Sequence, residues 1–142
     1  MPITDSEKAR RRALLTTHYD VENDHDISGI MATFAPDGVM LYNRIPFTDP
    51  QSIRGAHGLM GFSGTDGAFK DIHQYIDVEH FTEDEIIVEG RLCGKHVGEF
   101  QGIEATGRDV ELPFVAFYNF DKTDKLISER VVMNLGVLVA SG

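Results

Sequence analysis

Hydrophobic positions near the start of the chain recur three and four residues apart, and farther along they alternate. Thr4 and Glu7 make a T-x-x-E capping box, which predicts a helix from about Asp5. Leu14, His18 and Val21 follow at helical spacing beside Ala13 and Leu15, and the polar run Glu22-Asn23-Asp24 ends the segment. Asp26 is a good N-cap for a second helix. In it Ile27, Ile30, Met31 and Phe34 fall at i, i+3, i+4 and i+7, and Pro36-Asp37-Gly38 is expected to stop it with a turn.

The rest of the chain reads as strands. Val39 to Ile45 is the first. Asp71 to Phe81 sets Ile72, Ile76 and Val78 on one face and His73, Tyr75 and Asp77 on the other. Glu83-Asp84 turns the chain into a return strand from Glu85 to His96, which groups Ile86, Val88, Leu92 and His96. Arg108 to Phe120 places Leu112, Phe114, Ala116, Tyr118 and Phe120 together, Asp121 to Asp124 makes a hairpin turn, and Leu126 to Val139 is the last strand. Between the first two strands Gly55, Gly58, Gly61, Gly64 and Gly67 fall at every third position. The run is short and lacks proline, so it is not collagen-like, and it is expected to form a glycine-loosened loop with one helical turn, either a plain surface loop or a pocket rim. Two helices followed by a long antiparallel meander predict an α+β fold in which the helices cover the concave side of a curved sheet.

Composition narrows the function classes. A length of 142 residues predicts one domain spanning 1–142, and 42% hydrophobic content is enough for a core. No apolar run reaches membrane-spanning length, and the start MPITDSEKARRRALL lacks a signal peptide's apolar stretch, so a cytoplasmic location is the default expectation. The formal charge of −10 argues against a nucleic-acid partner, since the cluster Lys8, Arg10, Arg11 and Arg12 reads as a solvated helix face. The single cysteine, Cys93, excludes an intramolecular disulfide.

Several motifs fail on inspection. Asp24-x-Asp26-x-Ser28-Gly29 resembles the start of a calcium loop, but position twelve holds Ala35 rather than glutamate. The six histidines show no paired metal spacing, so no metal site is expected. Gly61-Phe62-Ser63-Gly64 is not a nucleophile elbow, and no phosphate loop or dinucleotide fingerprint occurs, so no cofactor is expected.

The segment from Asn23 to Ile27, the stretch FAPDGVMLY (34–42), the block HVGEFQGIEATGR (96–108) and ISERVVMN (127–134) resemble SnoaL-like proteins. These belong with nuclear transport factor 2, ketosteroid isomerase, scytalone dehydratase and limonene epoxide hydrolase. The resemblance covers nearly the whole chain and implies a cone-shaped α+β fold, a homodimer through the outer sheet face and a small apolar ligand, with no membrane partner. It is weak for reaction, because this fold hosts many activities. The tyrosine that ketosteroid isomerase places on its first helix falls near His18 or Tyr19. Its strand aspartate is matched by Tyr42, and the acidic proton carrier of SnoaL-type cyclases is matched by Asn134. The places of the scytalone dehydratase histidines, tyrosine and aspartate look like His73, His96, Tyr42 and Asn23.

The resulting expectation is a cofactor-independent dehydratase, isomerase or cyclase acting on a small apolar cyclic or polyketide-like molecule. His96 would be the main acid/base with His73 assisting. Tyr42 would polarise the substrate oxygen, and Asn23 and Asn134 would position it. Each residue also has a plainer reading. His96 can be a strand-end histidine, His73 an exposed or interface residue, and Tyr42 core filler. A non-catalytic small-molecule binder on the same fold is the alternative, favoured by the missing carboxylates.

Overall fold

A computed structural model describes residues 3–64 and 67–139. Helix α1 (Asp5–Asn23) begins where Thr4 Oγ1 accepts from the Glu7 N–H at 3.1 Å. The short α2 (Ile27–Ala32) starts at Asp26, whose carboxylate accepts from Gly29 N–H. Strand β1 (Phe34–Tyr42) and the short β2 (Ile45–Phe47) form a hairpin across Asn43-Arg44. Both turn residues have positive φ, as a two-residue hairpin with native twist requires. Helix α3 (Pro50–Met60) follows, then the long strands β3 (Phe69–Phe81), β4 (Glu85–His96), β5 (Asp109–Phe120) and β6 (Leu126–Met133), and a terminal turn of helix α4 (Gly136–Val139). The sheet order is β2-β1-β6-β5-β4-β3, with edges at β2 and β3 and one parallel pair, β1 with β6. No described helix is long and apolar enough to cross a membrane.

The core lies between α1–α3 and one face of this sheet. Leu15 and Ile30 from the helices meet Met40, Val88, Ala116 and Leu126 from the strands, all fully buried. Tight alternation on β4 and β5 sends every second side chain inward, as expected from the sequence.

The structure corrects four expectations. Phe34 opens β1 instead of closing α2, because Thr33 caps the helix, and Pro36-Asp37-Gly38 sit in a bulge of the strand, where β1 spends more residues than its partner β6 between Phe34 and Val39. The glycine-rich stretch is mostly helix: Asp49 and Ser52 make a reciprocal capping box, Pro50 sits at N1, and Ile53, Ala56, His57 and Met60 form a buried stripe at i, i+3, i+4 and i+7. Residues 65–66 of the expected loop lie outside the described residues. Gly61 ends α3 at φ +124°, where a Cβ would stand 2.3 Å from the Phe69 carbonyl oxygen. A register shift between Ile76 and Val78 turns Val78 to the outer face, 42% exposed, beside Asp77. The last strand ends at Met133, so Asn134 lies outside it, exposed, and its Oδ1 accepts from Gly136 N–H at the start of α4.

Candidate active site

The buried face of α1 carries Leu15, His18, Tyr19 and Glu22, at i, i+3, i+4 and i+7. The same inward parity on β6 that buries Val131 and Met133 also buries Glu129. The buried stripe of α3 adds His57. Three elements distant in the chain thus bring two carboxylates and two imidazoles together inside the cone.

His18 is the centre of the cluster. Its Nε2 lies 3.1 Å from Glu22 Oε1 and 2.9 Å from Glu129 Oε1, and His57 Nε2 lies 3.4 Å from Glu22 Oε2. Neither imidazole N–H bond is aimed at a carboxylate oxygen as a well-aligned hydrogen bond: both Nε2 atoms and Glu129 Oε1 are buried without such a partner. The opposite ring nitrogens are anchored. Thr33 Oγ1 donates to the Ile30 carbonyl at 2.6 Å, so its lone pair accepts the His18 Nδ1–H at 2.7 Å. The Ile53 carbonyl, which can only accept, takes the His57 Nδ1–H at 2.8 Å. These acceptors assign a hydrogen to each Nδ1 and turn each Nε2 toward Glu22. Glu22 is held in turn by Gln74, whose side-chain amide donates to Oε1.

Electrostatics follows from this geometry. Burial by itself would lower the pKa of His18, but Glu22 and Glu129 outweigh burial and lift it to about 10. Burial pushes Glu22 up, yet His18 and then His57 pull it well below the usual carboxylate range. His57 is likewise raised, with burial opposing and Glu22 prevailing. His18 is therefore an imidazolium at neutral pH, beside an ionised Glu22.

Glu22, Gln74, Glu129, Tyr42 and Tyr118 line one side of a small cavity, closed by apolar side chains that include Met60 and Phe62. The cavity offers about 20 Å³ to water-sized occupants, room for one water, far below the few hundred Å³ of a ligand pocket. Larger ligands enter only if its walls move. Among the described residues the hydroxyls of Tyr42 and Tyr118 have no hydrogen-bond partner. Burial, reinforced by Glu129 and Glu22, holds both phenols well above their ordinary pKa. They remain O–H donors at any physiological pH.

The residues singled out from the sequence separate. His18, Tyr19 and Tyr42 lie in or against the cluster, Tyr19 donating to Glu79 at 3.3 Å. His96 is fully buried at the end of β4, but elsewhere: its ring stacks on Phe69 at 5.3 Å and its Nδ1 accepts from Thr106 N–H. His73 points outward on the opposite face of the sheet, exposed and packed on Tyr75. The convergence of His73, His96 and Tyr42 that the dehydratase likeness implies is not formed, because odd positions of β3 near His73 face away from the helices. Asn23 latches α1 to β3, accepting from Gln74 N–H at 2.8 Å and donating to Gln74 O at 3.1 Å. Asn134, outside β6, does not reach the cavity lining.

Glu22, Glu129 and His57 are not singled out by the sequence reading, and the cavity carries carboxylates at positions other than the family places held here by Tyr42 and Asn134. Signals existed: Glu22 is seven residues after Leu15 on the helix, and Glu129 shares strand parity with Val131. The chain spacing of the histidines hides the fact that His18, Glu22 and His57 offer three donor atoms within 4.8 Å of one another, all buried, a set able to hold a metal ion.

The family profile described as SnoaL-like polyketide cyclase matches residues 12–140. Among curated proteins none matches the chain in sequence. Among solved structures, one from Jannaschia sp. CCS1, designated a SnoaL-like polyketide cyclase, is 15% identical, with a TM-score of 0.79 and 94% of each chain covered. SalBIII, described as an epoxide hydrolase/cyclase-like enzyme in pyran ring formation in the polyether salinomycin, is 11% identical at TM-score 0.74, covering 95% of this chain and 97% of its own. A protein of ketosteroid isomerase-like fold from Catenulispora acidiphila is 14% identical at TM-score 0.70, with 88% of each chain covered. At these identities the likeness establishes the fold, the cone shared with ketosteroid isomerase and nuclear transport factor 2. With the family profile spanning all but the ends of the chain, this protein belongs to the SnoaL-like polyketide cyclase family.

Proposed function

We propose that this protein is a cyclase- or isomerase-type enzyme acting by proton transfer on a small, oxygen-bearing, largely apolar molecule of cyclic or polyketide type. The observation that carries this reading is the sharing of one cavity by two unengaged tyrosine hydroxyls and a carboxylate. Tyr42 and Tyr118 line the cavity with hydroxyls that make no hydrogen bond among the described residues, and Glu129 lines it with a carboxylate that His18 approaches. A carbonyl oxygen between the two hydroxyls would gain stabilisation as charge develops on it, and Glu129 would take the proton from the adjacent carbon and return it to another position. His18, 2.9 Å from Oε1, fixes the carboxylate from behind. The apolar wall around Met60 and Phe62 suits an uncharged ring and must yield on binding.

The test is solvent deuterium incorporation into a panel of cyclic ketones and β-diketones, followed by proton NMR. Catalysed exchange above buffer is expected in the wild type and should fall to background in Glu129→Gln. Binding of panel members without exchange, or exchange that survives Glu129→Gln, would favour the non-catalytic binder.

A further inference from the structure

We infer that His18 Nε2, His57 Nε2 and the Glu22 carboxylate form a binding site for one divalent first-row transition-metal ion. This goes beyond the proton-transfer reading and stands on different observations.

The first is the donor set and its spacing. One donor atom from each of the three residues lies within 4.8 Å of the other two, and His18 Nε2 stands 3.1 Å from Glu22 Oε1 and His57 Nε2 3.4 Å from Oε2. Donors held at about 2.1 Å around a tetrahedral ion sit roughly 3.4 Å apart. Two histidines and one carboxylate, with borderline nitrogen and hard oxygen donors, suit zinc, cobalt or iron(II) better than calcium or magnesium.

The second is the orientation of the rings. An imidazole that only pairs with a carboxylate aims its N–H at an oxygen. Here both buried Nε2 atoms stand 2.9–3.4 Å from carboxylate oxygens without a well-aligned hydrogen bond to any of them. Imidazoles that approach carboxylates without aligning on one of their oxygens fit a shared central ion.

The third is the outer support. Metal-bound histidines commonly donate the remote ring N–H to a carbonyl, carboxylate or similar acceptor, which fixes ring orientation and raises basicity. Both histidines do this at Nδ1, His18 to Thr33 Oγ1 and His57 to the Ile53 carbonyl, and Gln74 holds Glu22. Glu129, 2.9 Å from His18, stands beside the three donors at the cavity. Loading must displace the Nε2 proton of His18, so binding releases protons and tightens as pH rises.

The test uses the full-length chain, free of any histidine tag and stripped with chelator. Cobalt(II) is titrated and followed by its visible d–d absorption, and zinc(II) by calorimetry. One equivalent should bind, with the intense bands of four- or five-coordinate cobalt. His57→Gln and Glu22→Gln, checked for folding by circular dichroism, should each weaken binding by at least about 100-fold, since loss of supporting residues alone costs about 10–100-fold. His80→Gln, which touches only the exposed Glu89 pair, should leave binding unchanged. If a ligand variant does not fold, the cobalt-loaded wild type still decides: it should show two exchangeable, paramagnetically shifted Nδ1–H proton resonances. No stoichiometric binding, binding lost with His80→Gln, or no shifted Nδ1–H signals would overturn the inference and leave a buried ion-pair network. None of these readouts depends on turnover, so the fate of the deuterium-exchange experiment is separate.

Discussion

His18 on the first helix and Glu129 on the last strand touch across the helix–sheet interface, Nε2 to Oε1 at 2.9 Å, with no more than 2% of either side chain exposed. Glu22, one turn along the helix, approaches the same nitrogen at 3.1 Å. A charge placed this deep is tolerable only while its partners remain.

That dependence gives a pH signature in metal-free protein. His18 has a folded pKa of about 10 against 6.5 unpaired. Its pairing therefore stabilises the fold fully below pH 6.5, and the contribution is lost as pH rises toward 10. Glu22 has the opposite sign: lowered from 4.5, it stabilises above that pH and its contribution is lost as pH falls below it. Glu129→Gln should cost about 3 kcal/mol near neutrality and should flatten the decline in stability between pH 6.5 and 10. Denaturant melts across this range measure both, and parallel curves for variant and wild type would contradict the pairing.

Tyr42 and Tyr118 give the reverse pattern, activity without stability. Their hydroxyls bond to no described side chain, so Tyr42→Phe and Tyr118→Phe should change stability by less than about 1 kcal/mol. Each should reduce deuterium exchange by about 10²–10³-fold, the usual effect of removing one donor to a developing oxyanion. A large loss of stability with unchanged exchange would reassign both to the core.

Thr33 supports His18 from behind. Thr33→Val removes the acceptor of Nδ1–H and leaves a buried donor unsatisfied, at about 2 kcal/mol. It should also lower the His18 pKa, read by nitrogen NMR of the ring, and Thr33→Ser should restore most of both. Loss of stability with an unmoved pKa would make the role purely structural.

Gly61 tests the join between α3 and β3. At φ +124°, with a Cβ forced to 2.3 Å from the Phe69 carbonyl oxygen, Gly61→Ala should destabilise by about 2–3 kcal/mol. A midpoint shift in urea smaller than about 1 kcal/mol would show that the turn can relax.

Local rules written in the sequence settled the caps at Thr4 and Asp26, the alternation along Glu85–His96, the turn after Phe120 and the α+β order, because each depends on residues a few positions apart. The FAPDGVMLY and HVGEFQGIEATGR blocks also carried the family. Glycine spacing misled at Gly55 and Gly58, where the capping box and the Ile53-to-Met60 stripe outweigh the weak helix propensity of single glycines. The choice of His73 and His96 rests on the likeness to scytalone dehydratase, but alternation and the β3 register put one on the outside and the other against Phe69. Only the tertiary structure could assemble the site, because Glu22, His57 and Glu129 are brought together by helix–sheet packing across chain separations of 35 to 107 residues. Burial then decided their chemistry: the same carboxylates and imidazoles in water would be ordinary surface charges, whereas in the core each one's protonation is set by its neighbours.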